Sequence, residues 1–341
     1  MTSTSAAASA EPDALANGGQ SALFRSIVWF ARAMFGVGLI ARIAPLMERG
    51  DRLLQQFPTE DGYLMLTIAR NLALGQGMST AAGSIPSNGT QPLATFVWAL
   101  VFKLVGGDKT WGVFGVLLLE TLFSAAAAYA IYRLALLLLP ASKAGKAQAL
   151  LAAAVWFAHP RIVMHTMNCL ETGLYAVTLV VALALILRGP ASNESTWWHW
   201  VKVGLALGVG FWARNDLVLL CLALAQVHLV WGLPGAPAQR SLRFAQLSVA
   251  GALVAVIAAP WLIFNHLNFG SVVPISGQAE SLDAVFAENI WITFPNLIEY
   301  LVMPLMVPSS LESHWAVVAA SAALVLAVAA LLCRHQASME P

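Results

Sequence analysis

The chain has 341 residues, 59% of them hydrophobic and only 10% charged, with a mean hydropathy of +0.74. Soluble domains carry roughly 25% charged residues, so this composition excludes an ordinary soluble protein. A formal net charge of +1 gives no electrostatic reason for a nucleic-acid partner.

Residues 1–22 are small and polar and read as a disordered cytoplasmic tail. They lack the basic start and short apolar core of a cleaved signal, so the first apolar run is expected to persist as an anchor. Apolar runs follow at about 23–46, 92–105, 111–139, 147–157, 170–187, 200–212, 217–231, 245–264 and 316–333, with a weaker one near 290–307. Several reach the roughly 20 residues that a spanning helix needs. Continuous runs point to helices, whereas a barrel would alternate in short strands.

The run at 92–105 is short and interrupted by Lys103. Basic residues favour the cytoplasmic side. If 92–105 does not cross, alternation puts Lys143 and Lys146, Arg188, Arg240 and Arg243, and Arg334 on that side. If it crosses, most of them move outside. The expected topology therefore has seven crossings to Phe264 and an eighth at 316–333, with 92–105 at the interface. Arg42, Arg49 and Arg52 dissent, since they follow the first crossing on the outer side.

In this topology the polar residues with possible chemistry collect on one side, and the inner loops are bland. Trp197, Trp198 and Trp200 read as an inner aromatic belt. The three cysteines, Cys169, Cys221 and Cys333, show neither a disulfide framework nor metal spacing. No P-loop or dinucleotide fingerprint is present.

The first outer loop opens on "FPTEDGYLMLTIARNLALGQG". A carboxylate that loses water beside a second carboxylate holds its proton more tightly and can serve as a general base. Glu60 and Asp61 also suit the start of a helix, whose N-terminus favours negative charge. The helix that follows carries Leu64, Met65, Ile68 and Leu72 on one side, which fits an interfacial segment. Arg70 is either a headgroup anchor or part of an anion site. "SIPSNGTQPL" reads as a turn, and its Asn88-Gly89-Thr90 sequon is too common a pattern to carry weight. His159, Arg161, His165 and Glu171 crowd a later outer turn, and the histidines lack the spacing of a helical metal pair. Arg214 and Asp216 in "FWARNDLVLL" sit between two crossings, where charge is expensive. They either pair with each other or present Arg214, whose planar fork suits phosphate, to an anion. Glu120 is a further charge inside a crossing, without an evident partner.

Five blocks in order, "EDGYLMLTIARNLALGQG", "NGTQPL", "HTMNCLETGLYA", "ARNDLVLL" and "PWLIFNHLNFGSVVPISG", resemble a bacterial branch of the GT-C superfamily of integral-membrane glycosyltransferases. The likeness covers about residues 23–277. It implies an all-α membrane fold, a GT-C bundle of about eight transmembrane helices with interfacial helices in the first periplasmic loop. The tail 1–22 precedes a catalytic module at 23–313, with outer loops at 47–110 and 265–313. A last crossing and short tail occupy 314–341.

The resemblance further implies a multi-pass protein of the bacterial inner membrane, its N-terminus cytoplasmic and its active site periplasmic. The donor would be a polyprenyl-phosphate-linked sugar and the acceptor a lipid, glycan or protein, among membrane lipids. Glu60 or Asp61 would be the catalytic base. Arg214, His266 and Arg70 would face the donor phosphate. Glu171, Asn88, Gln91, His165, Asp216 and Ser276 would line the cavity. No cofactor is implied with certainty, although some relatives use a divalent cation. Relatives often carry Ala after the acidic pair, where this chain has Gly62. The rival reading is a transporter or flippase of a lipid-linked substrate. Transporters tend to place sites at the midplane of matching halves, and no such symmetry is visible here.

Overall fold

The structure, a computed structural model, describes residues 10–48 and 51–278. Among these it is helical, with the elements α1 (Ala10–Ile43), a 3₁₀ turn (Ala44–Met47), α2 (Asp51–Gln56), α3 (Glu60–Ala73), α4 (Pro92–Leu104), α5 (Lys109–Leu138), α6 (Lys143–Ala158), α7 (Pro160–Thr166), α8 (Thr172–Arg188), α9 (Thr196–Ala213), α10 (Leu217–Val230) and α11 (Arg240–Phe269). The crossings expected through Phe264 coincide with α1, α5, α6, α8, α9, α10 and α11. The runs at 290–307 and 316–333, with Arg334 and Cys333, lie outside the described residues, as does Arg49.

Phe24–Met47, Lys109–Leu138 and Arg240–Phe269 are long and apolar enough to cross a membrane, and α6 with α7 forms a further candidate bent by 60°. The chain is thus an all-α membrane protein. α8 and α10 are apolar but shorter. α1 is helical from Ala10, so helix extends into the stretch read as a tail. Ala and Leu in that stretch are strong helix formers, and polarity alone does not break a helix.

Local sequence sets the helix ends. Asp108 and Ser142 accept from the third residue of α5 and α6, from Trp111 N at 2.8 Å and Gly145 N at 3.0 Å. Gly270, at φ 72°, ends α11 in a left-handed cap.

Side by side, α1 packs on α6, α6 on α5, α5 on α8, α8 on α9, and α9 on α11, while α10 rests more loosely on α9 and α11. The tightest approach is α9 on α11. Gly204 and Gly208, one turn apart, let Ala250 and Ile257 come so near that a Cβ would sit 2.8 Å and 2.6 Å from their atoms. Small residues four apart are the usual device for close packing in lipid. Exposed Trp29, Phe30, Ile40, Leu219 and Val256 give the bundle an apolar exterior.

α4 does not continue the bundle. It packs on α3 and against the ends of α5 and α9, with Trp98 and Phe102 buried and Lys103 exposed. Alternation of the helices then separates two ends. One carries α2 to α4, α7, the α9–α10 turn and the end of α11. The other carries Lys143, Lys146, Arg188, Lys202, Arg240 and Arg243, with Glu194 bridging Arg188 at 3.2 Å and Lys202 at 2.7 Å. Trp197 and Trp198 are exposed at that second end, as a belt requires. Trp200 instead is buried, 4.5 Å from the His228 ring.

Arg42 has a local reason to dissent from the charge pattern. It is fully buried, donates to Thr166 Oγ1 at 2.8 Å and to the Phe157 carbonyl at 3.2 Å, and lies over the Phe157 ring. Pro160 breaks α6 from α7 and leaves carbonyls at the end of α6 without helical partners. The guanidinium answers one of them and sits where a helix C-terminus favours a cation. It is therefore a structural charge and carries no topological information.

Candidate active site

Thr59 begins α3, its hydroxyl accepting from Gly62 N at 3.3 Å. Glu60 and Asp61 occupy the first turn, where the helix dipole favours acids, and both are exposed. Behind them Gly62 lies against the Asn168 carbonyl oxygen, which a Cβ would overlap. A residue with a side chain does not fit there without a shift of the backbone. The close contact fixes the start of α3 to the turn that leads into α8.

That turn ends in Glu171, which is buried ahead of the first residue of α8 and makes no capping bond of its own. Its carboxylate accepts from Arg214 Nη1 at 3.0 Å. Burial pushes the Glu171 pKa above its ordinary value; Arg214 opposes the shift, while Asp216 and Asp61 add to it. Through the contact of Gly62 with the Asn168 carbonyl, the start of α3 and the turn that holds Glu171 share one region.

Arg214 follows α9. Its Nε donates to both Asp216 oxygens, at 3.1 Å and 2.9 Å, and its guanidinium stands 6.0 Å from the Tyr175 ring centre. Burial works against its charge, but the Asp216 hydrogen bonds and the Glu171 and Asp216 charges prevail and hold its pKa above the ordinary value. Among the described residues Nη2 has no hydrogen bond, so one donor of the fork remains for a ligand. Of the two alternatives read from "RND", the structure shows the pair of Arg214 with Asp216.

The loop from Ser87 to Gln91 closes the other side. Gln91 Oε1 accepts from Asn215 N at 3.2 Å, next to Arg214. Asn88 is fully buried, donates to Asn265 Oδ1 at 3.0 Å and accepts from Ile275 N at 3.0 Å. A Cβ on Gly89 would stand 3.8 Å from Ser276 Cβ. The loop between α3 and α4 and the segment after α11 are therefore stitched together beside the arginine.

The remaining expected site residues make no hydrogen bond to Glu171 or Arg214 among the described residues. Arg70 Nε is engaged by the Gly107 carbonyl at 2.6 Å, tying α3 to the turn before α5. His266 and His165 are exposed. No three His, Cys, Asp or Glu side chains gather as they would around a metal ion among the described residues. Tyr175, Asn168 and Asn265 were not anticipated. The signal for Asn265 is an amide, with Asn268 one turn on, in an otherwise apolar helix end.

A cavity of about 310 Å³ runs between α8, α9, α10 and α11, lined by Phe211, Val218, Cys221, Leu224, Leu207 and Trp200 among others. It is almost wholly apolar and starts within about one turn of Arg214. A second, of about 300 Å³, lies at the basic end beside Trp197 and Gln246, away from the acidic residues.

Comparison with known proteins returned no match among curated proteins or solved structures. Residues 87–264, just over half of the chain, match the family described as dolichyl-phosphate-mannose-protein mannosyltransferase. The matched stretch runs from the Asn88 loop through Glu171 and Arg214 to the end of α11. This chain belongs to the dolichyl-phosphate-mannose-protein mannosyltransferase family of GT-C membrane glycosyltransferases.

Proposed function

We propose that the protein transfers a sugar from a polyprenyl-phosphate-linked donor to a hydroxyl of a lipid, glycan or protein acceptor, with inversion, on the periplasmic face of a bacterial inner membrane. The observation that carries this reading is the ion pair of Glu171 with Arg214 at the end of the bundle where the Gly62 contact anchors the acidic start of α3. A base and a cation that can answer a leaving phosphate belong together in such a reaction. The basic opposite end supports a cytoplasmic placement for that end, and so a periplasmic site.

The acceptor oxygen attacks the anomeric carbon and its proton passes to Asp61. The electron pair of the breaking carbon–oxygen bond goes to the polyprenyl phosphate. Arg214 answers the charge on that phosphate through its free Nη2, in a setting where such stabilisation is usually the largest catalytic contribution. The apolar cavity beginning at Phe211 and Val218 suits the isoprenoid tail. Between the two acids, Asp61 is preferred because it adjoins Gly62, which the Asn168 carbonyl ties to the turn that holds Glu171.

The test is sugar transfer by the Asp61→Asn and Glu60→Gln variants in lipid nanodiscs, with a panel of polyprenyl-phosphate sugars. Asp61→Asn is expected to lose on the order of 10²–10⁴-fold in rate, the range of general-base catalysis. Full activity in both variants overturns the assignment.

A further inference from the structure

Helices α9 and α11 both begin at the basic end of the bundle, and neither is capped. They run in the same direction, since Gly204 meets Ala250 and Gly208, one turn on, meets Ile257. Their N-termini therefore lie side by side. The cavity of about 300 Å³ at that end has Thr196 and Trp197 of α9 and Leu242 and Gln246 of α11 in its wall. Neither Ser195 nor Gln239 makes a side-chain capping bond, and neither first turn holds an acid. Among the described residues, the amides of Thr196, Trp197, Trp198, Arg240, Ser241 and Leu242 find no acceptor. Two helix dipoles thus turn their positive ends to one place, where Arg240 and Arg243 add charge of the same sign. The nearby acid, Glu194, is committed elsewhere. One of its oxygens accepts from Lys202, the other from Arg188 and the Ala191 amide.

A buried side chain adds a donor. Gln246 is 4% exposed and lines the cavity. Its orientation follows from a chain of hydrogen bonds. The Leu233 amide donates to His228 Nδ1 at 3.2 Å, so the ring carries its proton on Nε2. That proton goes to Gln246 Oε1 at 3.0 Å. The carboxamide nitrogen is left over, without an acceptor among the described residues, and is the group that Gln246 offers to the cavity. Arg243 Nε donates at 2.7 Å to the carbonyl of Pro237, another lining residue, which fixes the guanidinium beside the same wall.

Uncapped helix amides, a carboxamide and a guanidinium are donors that suit a phosphate. Trp197, Trp198 and Phe244 are exposed around them, as residues at the level of lipid headgroups are. We propose that this cavity binds the phosphate of an anionic phospholipid, with Gln246 Nε2 and the amides that open α9 and α11 as its donors. The site lies at the opposite end from Arg214, and its occupancy does not depend on the glycosyl-transfer reading.

In the experiment the full chain in neutral detergent is titrated with short-chain phosphatidylglycerol, phosphatidylcholine and inorganic phosphate. Native mass spectrometry and the thermal midpoint are the readouts. One phosphatidylglycerol per chain should be retained and should raise the midpoint. Phosphatidylcholine bound as tightly, or an equal shift with inorganic phosphate, overturns the proposal. Gln246→Glu keeps the acceptor for His228 but replaces the free donor by an acceptor. It should weaken phosphatidylglycerol about tenfold or more, the scale of a hydrogen bond to a charged group. Ser195→Asp sets a carboxylate at the start of α9. Its midpoint without lipid should rise while the effect of the lipid shrinks, a pair of changes that misfolding does not produce. Lys143→Gln, at the same end but on α6, removes as much charge and should bind like the unaltered protein. Unchanged binding in either site variant overturns the proposal. So does an equal loss in Lys143→Gln, which diffuse attraction to the basic end would give. If Gln246→Glu does not fold, Ser195→Asp decides.

Discussion

Arg214 and Glu171, 43 residues apart in sequence, meet at 3.0 Å and join the α9–α10 turn to the start of α8. The bond aims the guanidinium while Asp216 holds its Nε and Nη2 stays free. A group already oriented costs little to reorganise when charge develops on a leaving phosphate. Arg214→Ala is therefore expected to lower the transfer rate on the order of 10²–10³-fold, the cost of removing one such donor. Arg214→Lys keeps the charge but cannot reach Glu171, Asp216 and a ligand with one planar fork, so its rate should stay well below that of the unaltered protein. Initial rates at saturating donor measure both.

The Gly62 contact predicts a different failure. A Cβ there overlaps backbone rather than a flexible side chain, so the turn or the helix must move. Overpacking of this kind costs about 1–3 kcal/mol. Gly62→Ala should lower the thermal midpoint in detergent and, by shifting the start of α3, reduce transfer beyond what the lost stability explains. Ala at Gly36, inside α1, where a Cβ would meet nothing within 4 Å, is the control expected to leave transfer unchanged and to raise the midpoint slightly, as Ala favours helix over Gly.

The pH dependence follows from two carboxyls shifted in opposite directions. Buried Glu171 has its folded pKa raised above the ordinary 4.5. Its contribution therefore favours folding fully below that value and is lost as pH rises through the folded pKa. Glu194, bonded by Lys202, is lowered to about 2, so its contribution is present above 4.5 and is lost as pH falls toward 2. Thermal midpoints of Glu171→Gln measured upward from pH 4.5 should lack the decline that the unaltered protein shows. Glu194→Gln should lack the decline seen below pH 4.5. Interchanged slopes would contradict the assignment.

Much of this site was legible because its signals are local. Thr59 before two acids announces a helix start, and an arginine between two apolar runs announces a cost that needs a reason. The alternation of basic loops put Glu60, Glu171 and Arg214 at one end before any packing was known. What stayed hidden depends on contacts across the bundle. Nothing in the neighbourhood of Arg42 says that it grips Phe157 and Thr166, more than 110 residues away. Its charge therefore looked like an exception to the topology. The role of Gly62 was equally invisible, because the carbonyl that excludes a Cβ comes from Asn168.

The Asn88 node supplies the last prediction. Its side chain is fully buried, giving an amide proton to Asn265 and taking one from Ile275. A folded sequon in this state cannot receive a glycan, so no modification of Asn88 is expected when the protein is made in a glycosylating host, and intact mass checks this. Replacing one partner leaves the other buried and unsatisfied, at about 1–3 kcal/mol. Asn88→Ala should thus lower the thermal midpoint and release the segment that follows α11. Because Gln91 three residues on accepts from Asn215 beside Arg214, the same change should also weaken polyprenyl monophosphate binding. Asn88→Asp keeps the acceptor for Ile275 but sets a carboxylate against the Asn265 oxygen. If the amide donation to Asn265 is what matters, both variants lose binding; if acceptance from Ile275 suffices, Asn88→Asp retains it.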